Sequence, residues 1–501
     1  MLAAAAALLF AAPAGAANQA SGLYVVGAGN GHGVGMSQYG AAGYALHGAG
    51  YQQILRDYYA GTTLGHIAPT RTVTVLLRGS GAAMFSGATT IKGATTLKGA
   101  KLKLNPLWNY SVVPAGNRLR VNLGHRLIGK FNAPLRVGGT TPVKLDGLGA
   151  YRGLLVFRPA PNGNGVMTTN EVGLDDYVQG VVTSEMPASW PTQALEAQAV
   201  AARTYAITQR PATASYDVYD NTQSQMYGGV NAETPAGNGA VAATSGEVVE
   251  YAGAPVETYF FSSSGGETES VQNVFQIAPE AWLVGRPDPY DDALANPWHR
   301  WKMSFSLQAA RAKLGALVEG SLKGIKVLAH GVSPRIVKAQ VVGSKGSVTV
   351  SGVQLRKVFG APSTWMSFTT VSSRGVQTGT TTTTVPTTTS PTTTSPTPTG
   401  GGGLGGAIER AAAALDRAVS SLRAATSRRL AALRFRYAVT GTVFPVAAGA
   451  RVTVQADPGG SWSPVATGTV AAGGEYSVPV PDRGSYRVVY GGIAGPEVTV
   501  R

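Results

Sequence analysis

Residues 170–191 read NEVGLDDYVQGVVTSEMPASWP, and the spacing in this stretch decides how the chain around it folds. Leu174, Tyr177, Val178, Val181 and Val182 fall at i, i+3, i+4, i+7 and i+8, the pattern of a helix with one buried face. Asp175 and Asp176 suit its first turn, where the helix dipole favours anions. Continuing the count puts Glu185 on the same stripe at the C-terminal end, where apolar surroundings and the negative end of the dipole both disfavour a charged carboxylate. Met186-Pro187 stops the helix, and SWPTQALEAQAVAARTYAI (189–207) starts another, with Ser189 as its expected N-cap and Pro191 in the first turn. Leu195, Ala199, Ala202 and Ala206 give that helix a small-residue face for close packing. Two readings of Glu185 stay open: a lone acid with a raised pKa, or a buried acid paired with Arg203, which would lower it.

Outward from these helices the pattern changes. Residues 70–160 carry strand-like runs such as RTVTVLLRG and RGLLVFRP between turn residues, and strands return in GEVVEYAGAPVETYFFSSSGG (246–266). The expected main domain is therefore α+β, β-rich with a helical segment at its centre. Nearer the N-terminus, GNGHGVGMSQYGAAGYALHG (29–48) is too irregular for a dinucleotide loop: counted from Gly27 or from Gly29, the third glycine position holds His32 or Val34. It lacks the Gly-Lys-Ser/Thr of a P-loop, and Ser37 is followed by Gln38-Tyr39 instead of the glycine a nucleophile elbow needs. One reading is a plain surface turn. The other is that its glycines let the backbone lie against the SSSGG loop at 262–266, with YQQILRDYYAG (51–61) as the helix that docks it.

With 501 residues, two or more domains are expected. Residues 1–17 read as a secretory signal peptide, an apolar run closing in Ala14-Gly15-Ala16 and shorter than the ~20 residues of a spanning helix. Secretion without a transmembrane segment in the mature chain follows as the expectation. There are 0 cysteines, so neither disulfides nor thiolate metal sites can hold the fold. The net charge of +15 points to anionic wall polymers as surroundings, and no nucleic-acid-binding motif accompanies it. Residues 376–403, rich in Thr, Pro and Gly, read as a linker; 404–436 as an amphipathic basic helix or stalk; 437–501 as a small β-sandwich accessory module.

Four separated motifs, DDYVQGVVTSEMPASWPTQALEAQAVAARTYAI, DNTQSQMYGG, YFFSSSGGETES and GHGVGMSQYGA, closely resemble the SpoIID/LytB domain family of sporulation and cell-wall proteins, and the resemblance covers most of residues 22–370. It implies a peptidoglycan lytic transglycosylase acting on glycan strands, or, in the LytB branch, an enhancer of a partner cell-wall amidase; a third reading makes the chain a structural wall protein with the helix and β-module as its working parts. The glutamate of the family's EMP motif, Glu185 here, is implied as the catalytic acid/base. One acid suffices for this reaction: it protonates the glycosidic oxygen, then as carboxylate takes the proton of the C6 hydroxyl that closes a 1,6-anhydro ring. A hydrolase would pair two carboxylates, and Glu267 and Glu269 are the candidates for a second. Arg203, Gln225, Tyr227 and the loop Ser262-Ser263-Ser264 match family motifs and are expected to bind sugar, as are His32, Ser37 and Gln38. The chain departs from the family twice. Where many relatives read Cys-Asp-x-x-His-Cys, residues 219–224 are Tyr-Asp-Asn-Thr-Gln-Ser, so no metal or other cofactor is expected. The GHGVGMSQ segment, which usually follows the rest of the domain, here precedes it, as in a circular permutation.

Overall fold

Gln19–Gly27 (β1) alternates side chains above and below a sheet, burying Leu23 and Val25 completely. It lies between Trp301–Ser306 (β2) and Met366–Gln377 (β3), antiparallel to both. The same sheet continues through Tyr437–Phe444 (β4) to Glu475–Val480 (β5). The structure is a computed structural model that describes residues 18–68, 70–92, 103–209, 215–378, 415–416, 419–420, 437–447 and 449–501. The signal peptide, the linker beyond residue 378 and all but four residues of the 404–436 helix lie outside the described residues.

Strand outweighs helix, 41% against 21%, which makes the chain α+β with its β content dominant. Residues 72–173, joined by the strand at 218–219, build two six-stranded sheets, one ordered 218–219, 72–78, 166–173, 154–159, 135–138, 90–92, the other 149–151, 143–145, 83–86, 110–115, 118–123, 126–132. Against the first of these packs the helical centre. Leu174–Glu185 (with Gln38–Leu46 as α1 and Tyr51–Tyr58 as α2, this is α3) follows directly from the strand Val166–Gly173, and its buried face is Leu174, Tyr177, Val178, Val181 and Val182. Thr192–Thr208 (α4) is buried along Ala194–Ala206 because alanines there let neighbouring helices close in from several sides. Ser189 does not cap it. Pro191, in extended conformation and without an N–H, occupies the cap position, and no side chain caps the helix.

The glycine-rich segment is woven into this core. Gly29, Gly31, Gly33 and Gly35 all take positive φ, between 75° and 110°, which excludes ordinary side chains. Asn30 and Ser263 exchange both backbone hydrogen bonds, at 2.8 and 3.0 Å, and a Cβ on Gly29 would stand 2.7 Å from the Ser263 carbonyl oxygen. Residues 36–37 pair in parallel with 260–261, and α2 buries Ile54, Leu55 and Tyr58 behind them. A plain surface turn is thus not what the glycines form.

Candidate active site

Glu185 is the last residue of α3, with its carboxyl half-buried where three pieces of chain meet. Its Oε1 accepts the Met226 backbone N–H at 2.7 Å, and its Oε2 accepts from Gln38 Nε2 at 3.2 Å. Burial pushes its pKa up from the ordinary carboxyl value, and the Met226 and Gln38 hydrogen bonds hold that rise back because they favour the charged form. Among the described residues no cation pairs with it. Arg203 instead donates from Nε to Asp175 Oδ1 at 2.7 Å and from its other nitrogens to the carbonyls of Glu247 and Val241, so the paired reading of Glu185 is set aside.

The loop carrying Met226 is fixed by its neighbours. Gln225 is buried and donates from Nε2 to the Ala202 carbonyl of α4 at 3.2 Å. Tyr227 is buried on the other side, its hydroxyl donating to Asn170 Oδ1 at 2.7 Å and its ring 4.9 Å from that of Tyr177. Held at both sides, Met226 stays exposed and aims its N–H at Glu185.

Gln38 is placed with similar care, as the first residue of α1 directly after its N-cap, Ser37. Ser37 Oγ accepts from the Gly40 N–H at 3.1 Å and from the Ser264 N–H at 3.2 Å, and donates to Asp291 Oδ1 at 3.1 Å. Asp291, wholly buried, is the hub of the region: it also accepts from Ser263 Oγ, the N–H groups of Ser264 and Gly265, Asn296 Nδ2 and His299 Nδ1, all within 3.1 Å. Next to it, buried Asp288 accepts from the Tyr58 hydroxyl at 2.8 Å, tying α2 to the same base. Sequence reasoning passed over Asp288, Asp291, Asn296 and His299, although the polar density of RPDPYDDALANPWHR (286–300) was a signal.

Most of the expected sugar ligands make internal contacts in this structure. Arg203, Gln225, Tyr227, Ser37, Ser263 and Ser264 are closed off from solvent with polar atoms turned inward, because the loops that carry them must be held by hydrogen bonds once buried. His32 spends its imidazole locally, donating from Nε2 to the Phe260 carbonyl and accepting the Val34 N–H on Nδ1, and burial followed by the nearby Arg356 pushes its pKa down to about 3, so it is neutral. Ser262 remains half-exposed, its carbonyl accepting the Tyr39 N–H at 2.9 Å. Beside Gln38, Tyr39 meets Trp190 edge to face, ring centres 4.8 Å apart, and both rings are half-exposed; Trp190 sits in the turn just after Glu185. Neither Tyr39, Trp190 nor Met226 stood out in the sequence, where each is one aromatic or apolar residue among many.

The two candidate second acids lie elsewhere. Glu269 is buried, and its oxygens accept from Asn273, the Val332 and Ser333 N–H groups and the Ser333 hydroxyl. Glu267 sits beside Glu269 and Arg335, its pKa raised first by burial and then by Glu269. Among the described residues no group of three or more His, Asp or Glu side chains is placed to hold a metal ion, and no helix is long and apolar enough to cross a membrane.

The helix–turn–helix and the Met226 loop fall inside the part of the chain that other proteins share. Residues 162–251 match the SpoIID family, described as stage II sporulation protein. The chain carries a SpoIID match over this stretch alone. It is 32% identical over 249 residues to the amidase enhancer of Bacillus subtilis (strain 168), covering 49% of this chain and 31% of that one. To stage II sporulation protein D of the same strain it is 29% identical over 210 residues, 38% of this chain and 59% of that one. An uncharacterised protein of Brachyspira hyodysenteriae is 34% identical over 198 residues, 39% of this chain and 52% of its own. The chain thus spans between about a third and three fifths of the length of these curated relatives. By name, the two Bacillus relatives are an amidase enhancer and a sporulation protein.

Proposed function

We propose that the SpoIID domain cleaves peptidoglycan glycan strands as a lytic transglycosylase outside the cell, at the wall, with Glu185 as its acid and base. The observation that carries this is the pairing of burial with two neutral donors, and among the described residues no cation, around one carboxyl. Such a group is protonated more readily than an ordinary carboxyl and still has its charged form supported when the proton leaves. The short Met226 bond keeps Oε1 as an acceptor, which leaves Oε2 to carry the proton toward a glycosidic oxygen. The bond to the leaving sugar then breaks, and the Glu185 carboxylate takes the proton of the C6 hydroxyl as that oxygen closes onto the anomeric carbon. Atoms balance without water, and one acid serves both halves, which fits the placement of Glu267 and Glu269 in other networks. The half-exposed Tyr39 and Trp190 rings offer sugar rings an apolar face beside that carboxyl.

The test is to incubate the protein with glycan strands stripped of stem peptides and search the products by mass spectrometry for 1,6-anhydromuramyl ends. Glu185→Gln keeps the shape and cannot cycle a proton, so release should fall by about 10²-fold or more. Undiminished release by the variant removes Glu185 from the role. A second reading has its own support in the amidase-enhancer relative: a chain that grips glycan without cutting it and stimulates a partner amidase. If parent and Glu185→Gln both make no anhydro ends yet both stimulate an amidase, that reading takes precedence.

A further inference from the structure

The connection between the SpoIID domain and the C-terminal module contains an inconsistency if the two are separate domains on a flexible tether. Antiparallel pairing of β3 with β4 runs over eight positions, from Thr370 opposite Phe444 to Gln377 opposite Tyr437. The segment 378–436 therefore leaves and returns at neighbouring points on adjacent strands, and its length sets no distance between the parts it joins.

The packing agrees. Val371 of β3 is fully buried in the cluster that forms the module's core, with Val439, Val443, Val452, Val454, Val478 and Val488, and Ala20 and Tyr24 of β1 pack against that cluster. The earlier half of the same strand contributes Met366 and Phe368 to a different core, shared with Leu23, Val25 and Ile336. One strand thus serves two cores. Across the seam the Tyr476 hydroxyl donates to the Ser372 carbonyl at 2.9 Å and lies 2.7 Å from Ser373 Oγ. Gly441 and Gly375 are bare where the backbones of Ser372 and Thr499 come too close for a side chain, and Gly495 leaves room for the Val371 side chain. A mobile accessory domain has no need for such fitted contacts on its host.

We propose that residues 437–501 are a strand-completing clamp on the exposed edge of β3, an internal binding partner that lacks part of its own core without that strand, and that 378–436 is an excursion anchored at both ends. This holds whatever the Glu185 site does. The module then cannot search for ligands at a distance, and anything the excursion binds is presented at one fixed point beside β3.

The test uses the full chain with a site for a sequence-specific protease placed in the Thr/Pro tract between residues 381 and 399. After complete cleavage, the two pieces should co-elute in gel filtration at the mass of the uncut chain and separate only in denaturant. Tyr476→Phe removes the hydroxyl that bridges Ser372 and Ser373 with little change of shape. In the cleaved chain it should weaken retention on dilution by about tenfold, while the uncut variant elutes as the parent does. Elution of a separate folded C-terminal piece from the cleaved parent, or retention by the variant equal to the parent's, overturns the proposal.

Discussion

Asp288 links acidity to the docking of the N-terminal helices, and its replacement by asparagine gives the sharpest stability test. The carboxyl is buried beneath α1, against Gly40, and accepts from Tyr58 of α2. Burial first, then the neighbouring Asp291, raises its pKa from 3.8 to about 6, with hydroxyl donors including Tyr58 restraining the rise. Because the folded value lies above the unfolded one, the group's stability contribution is fully present below 3.8 and is lost as pH rises through about 6. At ~1.4 kcal/mol per pKa unit, ionising it in place costs about 3 kcal/mol more than in the unfolded chain, and about 2 kcal/mol of that appears between about pH 4 and about pH 8. Asp288→Asn keeps the shape and cannot ionise. Whatever its offset from the parent at acid pH, the difference in unfolding free energy should move in favour of the variant by about 2 kcal/mol across that range. Urea unfolding of both proteins at several pH values, followed by circular dichroism, measures it. Parallel stability profiles for parent and variant would refute the reasoning, since they would mean that Asp288 ionises at no extra cost in the fold.

Two further outcomes concern the carboxyl at the end of α3 and its surroundings. Gln38→Ala removes a donor that favours the charged form of Glu185, so the alkaline limb of kcat/KM against pH should move upward, and an unmoved or lowered limb counts against the Gln38 contact. Trp190→Ala should weaken glycan binding by about three- to tenfold, with Trp190→Phe retaining most of it, as measured by calorimetry on the Glu185→Gln background where no turnover intervenes; equal affinities for the two would remove the ring from the sugar path.

What could be read from the sequence was whatever local periodicity dictates. The stripe Leu174 to Val182 marked a helix and put Glu185 at its end, and α3 stops at that residue. The docking helix over 51–61 was legible for the same reason, since Ile54, Leu55 and Tyr58 share one face. Contacts between distant segments were not legible. The hydrogen bonds that turn Arg203, Gln225 and Tyr227 inward join positions 23 to 57 residues apart, and no spacing rule distinguishes a buried Arg satisfied by Asp175 and two carbonyls from one facing a ligand. Motif likeness identified these residues, and burial decided what they hold. The Asp291 hub was hidden for a related reason: its donors come from 37, from 263–265 and from 296–299, and only folding brings them to one carboxylate.

The placement of the glycine-rich segment bears most directly on the order of the family's motifs in this chain. In the expected family order GHGVGMSQ comes last, and here it comes first. Such a rearrangement is tolerable when the old ends are close enough to join and the new ends lie at a surface. Gln19 stands opposite Arg374 and Leu23 opposite Thr370, so the start of β1 and the end of β3 are neighbours on paired strands. A few residues would span them. Meanwhile the segment supplies an interior strand of a sheet, the Ser37 contact with Asp291 and the Gln38 contact with Glu185. Removing residues 18–65 would leave β2 and β3 without their shared partner and Glu185 with one donor in place of two. The shortened chain should therefore unfold at markedly lower urea and release no anhydro-sugar, and rejoining residues 18–65 after position 374 through a short flexible linker, with the C-terminal segment omitted from both, should recover stability and release together. Full stability and activity of the shortened chain would instead make the segment an appendage, and its fitted glycines would need another explanation.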